Sequence, residues 1–328
     1  MLNAPSDGKP VPWYANSTER QKRLNAYEGG WREPLNKVSQ HISMGATLED
    51  LMARRHEDTQ KYTGFIAEWL MDSVARIDLG DFIDSPPPNR LVVQNGSYAA
   101  LPRFPGYSAL FQTVLELLDD DVDCIVELGS GLGYNLAELY LALPKDGPPR
   151  TLIACEPSPS GRAHTEALFS TVPQARMATR FFDYHAPELD FLSEFRKVIV
   201  ISAHSIEQIP FLGPNLYTAM LAGPVAACVH QEPIGWQRFP NLGRRVLEFH
   251  QDRTAWAKFV TDFTYVITPG RETENAAAWA AACLYNNDLL AQVSDFSERG
   301  LIRLRTLIYD YGSINPFNPS TLVAWTRG

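Results

Sequence analysis

Apolar positions follow two different patterns along this chain. Up to residue 118 they recur at helical intervals, and the readable helices are Leu35 to Ile42, Thr47 to Arg55, Gln60 to Ile77 and Tyr107 to Leu118. The third carries Phe65, Ile66, Trp69, Leu70, Val74 and Ile77, one apolar stripe at a period near 3.6. Residues 1–20 read as a flexible lead-in. Ser85-Pro86-Pro87-Pro88 is a break, Leu91 to Gln94 a short strand, and Pro105-Gly106 a further punctuation. Beyond residue 120 the pattern changes. Short unbroken apolar runs, beginning at Cys124-Ile125-Val126, Thr151, Ala178, Lys197 and Pro224, alternate with helical stretches. Such alternation predicts a parallel sheet with helices on both faces. Arg244 to Phe259 and Glu274 to Phe296 read as helix, and Ile302 to Tyr311 and Thr321 to Thr326 as a closing strand pair.

The turn after the first of these strands carries the chemistry. Val126-Glu127-Leu128-Gly129-Ser130-Gly131-Leu132-Gly133 places glycine at every second position after an acid. Glycine admits positive φ and close approach of backbone to a ligand. The helix predicted from Tyr134 to Leu143 then presents free N–H groups at its start. A dinucleotide fingerprint needs G-x-G-x-x-G. Tyr134 or Leu136 stands where its last glycine belongs, so that reading fails. The next strand, Thr151 to Cys155, ends on Glu156, 23 residues after Gly133. A carboxylate at the tip of that strand is placed to accept from both ribose hydroxyls.

The pattern E-x-G-x-G-x-G resembles the first motif of class I S-adenosylmethionine-dependent methyltransferases. The resemblance covers residues 105–235 well and extends to the closing strands. It implies an α/β fold: a Rossmann-like, seven-stranded sheet with helices on both faces. It also implies S-adenosyl-L-methionine as cofactor, with Gly129, Gly131 and Gly133 along its methionine part and Glu127 near its amino group. Glu156 would hold the ribose. Asp183 and Tyr184, at the end of a strand read from Ala178 to Asp183, would meet the adenine. Ser202 matches a cofactor contact, and Arg103 a partner for the cofactor carboxylate. Residues 1–100 are expected to form an N-terminal helical cap that selects the acceptor, with Trp31, Tyr62 and Trp69 as pocket aromatics. Residues 101–328 would form the methyltransferase domain, with an insertion near 236–270.

Two strand ends are unusually polar: Ser202-Ala203-His204-Ser205-Ile206-Glu207, and His230-Gln231-Glu232. His204 or His230 could act as general base toward a hydroxyl. Glu207 and Glu232 could hold a cationic nitrogen by charge-assisted bonds. These four are the candidate catalytic residues. They tilt the expected acceptor, a small polar metabolite, toward a guanidino or amino compound such as free arginine. O-methylation of a sugar or carboxylate is the alternative, with Arg238, Arg244 or Arg245 available to offset the acids. Aminopropyl transfer and a non-catalytic binding protein on the same fold stay open.

Charge and cysteine usage narrow the field. The formal charge of −9 and the lack of a basic run disfavour nucleic acid as partner. Cys124, Cys155, Cys228 and Cys283 are far apart, without C-x-x-C, so neither a metal site nor a disulfide framework is expected. No apolar stretch approaches a membrane span, and a cytoplasmic location is expected. A homodimer is compatible with everything above.

Overall fold

The computed structural model describes residues 17–57, 90–101, 108–251, 270–313, 315 and 317–328. The helix expected at Gln60 to Ile77, the proline break, Arg103 and the far end of the helix expected from Arg244 to Phe259 lie outside the described residues.

The apolar run after Asp123 forms the first strand of the parallel core, Cys124–Leu128, which is β3 in chain order, and all five of its residues are buried. A strand covered on both faces belongs inside a sheet sandwiched by helices. β4 (Thr151–Cys155) and β6 (Val198–Ala203) flank it in parallel, and β7 (Val225–Glu232) continues the parallel run beyond β6. β5 (Arg176–Arg180), partly exposed and bounded by arginines, closes one side, as suits an edge. β8 (Ile302–Ser313) and β9 (Ser320–Arg327) pair antiparallel, with β9 against β7.

The expected seven strands are therefore joined by two more, β1 (Arg90–Gln94) and β2 (Ser97–Leu101), giving the order β2-β1-β8-β9-β7-β6-β3-β4-β5. Asn95 and Gly96 take φ of 51° and 78° and fold the hairpin through a two-residue turn. Val93 and Gln94 then pair with Ser313 and Gly312 of β8. Residues 90–100, expected within the helical cap, thus belong to the sheet.

Alternation along β3 divides the core. Ile125 faces α1 (Ser17–Ser43), α2 (48–57), α3 (Ser108–Leu117), α4 (Tyr134–Ala142) and α5 (Pro159–Ser170) through residues such as Val38, Leu51, Leu110, Leu136 and Leu168. Val126 and Leu128 face α6 (Asn215–Ala222) and, later in the chain, a helix at Leu289–Glu298. A separate cluster forms later in the chain, in which Trp236 packs with α7 (Pro240–Gln251) and α8 (Glu272–Cys283). The stretch from Glu274 to Phe296, expected to be mostly helix, holds two helices, α8 and α9 (Leu289–Glu298). Leu284 takes φ of 58° between them, and the Asn286 side chain accepts from the N–H groups of Asp288 and Leu289.

α1 begins at Ser17, inside the stretch expected to be flexible, and runs through Pro34. Proline deprives the helix of one bond to the preceding turn. Tertiary anchors offset that loss: Glu28 accepts from the Ser160 backbone N–H (2.9 Å) and hydroxyl (2.8 Å) at the start of α5. Among the described residues, no helix is long and apolar enough to cross a membrane.

Candidate active site

In an open α/β sheet the loops at the carboxyl ends of the strands surround the ligand position. Here those loops and α1 enclose a cavity of about 350 Å³. Its floor is the glycine turn. Gly129 donates to the Cys155 carbonyl (2.7 Å), and its φ of 66° suits glycine. A Cβ there would lie 2.5 Å from Ser205 Cβ, so this glycine lets the turn pack against the loop after β6. At Gly133 a Cβ would strike Thr165 of α5. Gly131, with φ of 53°, is different: a Cβ would meet only Trp31, at 3.7 Å. Its backbone stands at the cavity wall.

Glu156 also stands on the wall, at the tip of β4. Its Oε1 accepts from the Ser158 N–H (3.1 Å) and hydroxyl (2.6 Å), and its Oε2 from the Gly131 N–H (3.0 Å). The side chain is therefore held in one pose, and Oε2 keeps a lone pair for a ligand. Burial raises its pKa above the usual carboxylate range.

Glu127 lies beneath the turn, fully buried and off the wall. Asn135 of α4, which is on the wall, donates to its Oε1 (2.8 Å). Glu127 Oε2 and Asn135 Oδ1 are both buried acceptors without a partner. Unpaired buried acceptors are costly and rare. Burial pushes the Glu127 carboxyl up to about 8, with the Asn135 bond and nearby Arg55 acting the other way. Arg55 reaches the same corner from α2, paired with Glu138 (2.8 Å) and lying over the Tyr134 ring (4.8 Å).

β5 ends at Arg180, so Phe182, Asp183 and Tyr184 sit in the following loop rather than in the strand expected there. Tyr184 donates to the Leu128 carbonyl (2.8 Å), and its ring meets Phe182 edge-on at 4.9 Å. Asp183 Oδ1 accepts from the His185 N–H (3.0 Å). All three line the wall.

The four candidate catalytic residues do not act as a group. His204 is on the wall, with φ of 50°. Its Nδ1 pairs with Glu207 Oε2 (2.9 Å) and its Nε2 with Ser320 Oγ (2.7 Å). The order resembles serine–histidine–acid catalysis, but Ser320 is 1% exposed and off the wall, so its hydroxyl anchors the ring. Burial disfavours the imidazolium, yet attraction to Glu207 and Glu232 outweighs it and raises the His204 pKa above 6.5. Glu207, off the wall, also accepts from Gln208 Nε2 (2.8 Å).

His230 and Glu232 are fully buried and off the wall, as is Ser202. Burial pushes His230 down to about 3, so its ring is neutral. Tyr217 lies 3.0 Å from His230 Nε2, Ser202 Oγ lies 2.9 Å from Nδ1, and the Ser202 hydroxyl donates to Glu232 (2.8 Å). A neutral ring fits this chain with the proton on Nδ1, an assignment made from the partners. Glu232 further accepts the backbone N–H groups of Ser205 (3.1 Å), Ile206 (3.2 Å) and Glu207 (3.2 Å). Its carboxylate holds the loop after β6 and does not line the cavity. Burial and Glu207 push it up to about 7 against those donors.

Among the wall residues not read from the sequence are Arg23 and Tyr27 of α1, Arg55 of α2 and Asn135 of α4. In α1, Arg23, Tyr27 and Trp31 recur every four residues, a helical stripe facing the cavity. Tyr27 and Trp31 stack at 5.9 Å. Tyr62, Trp69 and Arg103 lie outside the described residues. Arg238 is paired with Asp310 (2.6 Å), and neither it, Arg244 nor Arg245 lines the cavity.

A parallel core with β3 flanked by β4 and β6, an antiparallel closing pair, and a glycine turn and strand-tip acid on one cavity decide the fold. The chain has a Rossmann-like α/β fold. No protein-family model matches it, and no curated protein matches it. Among solved structures, the pyocyanin biosynthetic protein PhzM is 15% identical with a TM-score of 0.40, over 67% of this chain and 55% of that one. The chain thus spans little more than half of PhzM. Magnesium protoporphyrin IX methyltransferase (ChlM) from Synechocystis PCC 6803, with bound SAH, is 11% identical with a TM-score of 0.42, over 68% and 84%. Geranyl diphosphate methyltransferase, in complex with GPP and sinefungin, is 9% identical with a TM-score of 0.41, over 67% and 78%.

Proposed function

We propose that this protein transfers a methyl group from S-adenosylmethionine to a small-molecule acceptor. The observation that carries the reading is a pair of buried acceptors without a partner: Oδ1 of Asn135, which lines the cavity, and Oε2 of Glu127, directly beneath the glycine turn. Two buried acceptors fit an ammonium group, and Arg55 beside them fits a carboxylate. An amino acid end is thus accommodated next to a turn and an acid suited to a ribose. Gly131 lets the backbone lie against the ligand, and Glu156 Oε2 receives a ribose hydroxyl. Phe182, Asp183 and Tyr184 border the adenine side. Arg55 also favours the carboxylate-bearing donor over its decarboxylated relative, and so favours methyl over aminopropyl transfer.

When bound, the cofactor supplies a methyl group already activated on a sulfonium. The protein's share is alignment of the acceptor and exclusion of water. α1 and the loop after β6 provide the acceptor side, with Tyr27, Gln208, Ile209, Pro210 and Leu284 on its wall. A cationic nitrogen acceptor would need free acids there. Glu232 is committed to backbone N–H groups and Glu207 to His204, so an oxygen acceptor is the better reading. His204 is the wall residue able to hold a proton near that oxygen. The test is acceptor-dependent release of S-adenosylhomocysteine across a panel of hydroxy compounds, carboxylates and amines. The reading expects release with oxygen acceptors; release with amines alone would overturn it.

A further inference from the structure

The acceptor side of the cavity holds one cation whose charge no acid answers. Arg23 projects from α1 onto the wall, and its guanidinium donates to the Gln208 carbonyl (2.7 Å) and, more weakly, to the Cys283 carbonyl (3.5 Å). Among the described residues, no carboxylate forms an ion pair with it. The other arginine on the wall, Arg55, is paired with Glu138. Around Arg23 the wall is largely apolar: Leu24, Tyr27, Ile209, Pro210 and Leu284. Two carbonyls occupy part of a fork that carries five N–H donors. A partly buried guanidinium among apolar groups gains from a planar anion, which it meets through two parallel bonds.

We infer that the acceptor is a hydrophobic carboxylate, its carboxylate received by Arg23 and its apolar body packed against Tyr27, Ile209, Pro210 and Leu284. This rests on the methyltransferase reading and deepens it by naming the substrate class. Recognition of this kind disfavours amines and guanidines, because a cationic group beside Arg23 would be repelled in a poorly solvated pocket. The acids that might have attracted a cation are turned elsewhere: Glu207 to His204, Glu232 to the loop backbone, Glu156 to the donor side.

The inference is tested by calorimetry on the full chain saturated with S-adenosylhomocysteine, using 3-hydroxy-2-naphthoate, 2-naphthol and 2-naphthylmethylamine as probes. The naphthoate should bind at least about tenfold tighter than the naphthol, and the amine weakest, as a charge-assisted bidentate contact implies. In Arg23→Gln the preference for naphthoate over naphthol should fall to within about twofold, and Arg23→Lys should keep part of it. Because Arg23 also tethers α1, the affinity of S-adenosylhomocysteine is measured alongside. It should stay within about threefold of wild type, which separates loss of the anion contact from loss of the helix. Equal binding of naphthoate and naphthol by the wild type, or an unchanged preference in Arg23→Gln, would overturn the inference while leaving the donor site standing. Failure of S-adenosylhomocysteine to bind the wild type would remove the methyltransferase reading itself, and this inference with it.

Discussion

At the scale of single residues, the glycines of the turn divide the work. Gly129 makes room for Ser205 and Gly131 for a ligand, so their alanine variants should fail differently. Gly129→Ala forces a Cβ into Ser205 at positive φ and should lower stability by about 2–4 kcal/mol in chemical denaturation. Gly131→Ala meets only Trp31, in ordinary contact, and should cost only about 1–2 kcal/mol, while weakening S-adenosylhomocysteine by more than about tenfold. Equal effects on stability would show that the two positions are not distinct. Glu127 carries a pH signature. Burial raises its pKa to about 8, so its contribution to stability is present below its unfolded value and lost as pH rises through 8. An ammonium beside it pulls the pKa back down. Ligand affinity should therefore rise between about pH 6 and 7.5, by up to tenfold per unit, and Glu127→Gln should flatten that slope. Proximity to the catalytic edge was legible for His204, Glu207, His230 and Glu232, but side-chain direction was not. On β7, Cys228, His230 and Glu232 share one face by the two-residue period, and that face packs on Tyr217 rather than on the cavity.

At the scale of elements, α1 is the part that sequence periodicity undervalued. Its apolar stripe is weak and Pro34 interrupts it, so its helicity depends on what it touches. Glu28 clasps the start of α5 and Arg23 the loop after β6, which lays Tyr27 and Trp31 across the cavity. Ser160→Ala removes the hydroxyl half of the Glu28 clasp. It should raise amide exchange in α1 and weaken S-adenosylhomocysteine by about threefold to tenfold, with little change in global stability. Unchanged exchange in α1 would mean that other contacts hold the helix. The parallel strands were legible because a run buried on both faces is apolar throughout. The hairpin at 90–101 was half legible: Asn95-Gly96 is a strong two-residue turn signal, and only its first strand was read. The break between α8 and α9 was hidden, because the Asn286–Asp288 turn is held by distant backbone groups, including those of Glu207 and Leu212.

At the scale of the whole molecule, net charge says little about one cavity. The formal charge is −9, yet Glu207 is bonded to His204, Glu232 to the loop backbone, and Arg23 stands on the cavity wall. Charge summed over a chain speaks to solubility and steering, not to the lining of one cavity. On the proposed function, this cavity holds S-adenosylmethionine through Glu156 and the Gly131 turn. Calorimetric titration of S-adenosylhomocysteine into the wild type and Glu156→Gln tests it most directly. The account predicts one saturable site in the wild type and at least about tenfold weaker binding in the variant, the cost of exchanging a charged acceptor for a neutral one. No binding to the wild type, or equal affinity in the two proteins, would contradict it.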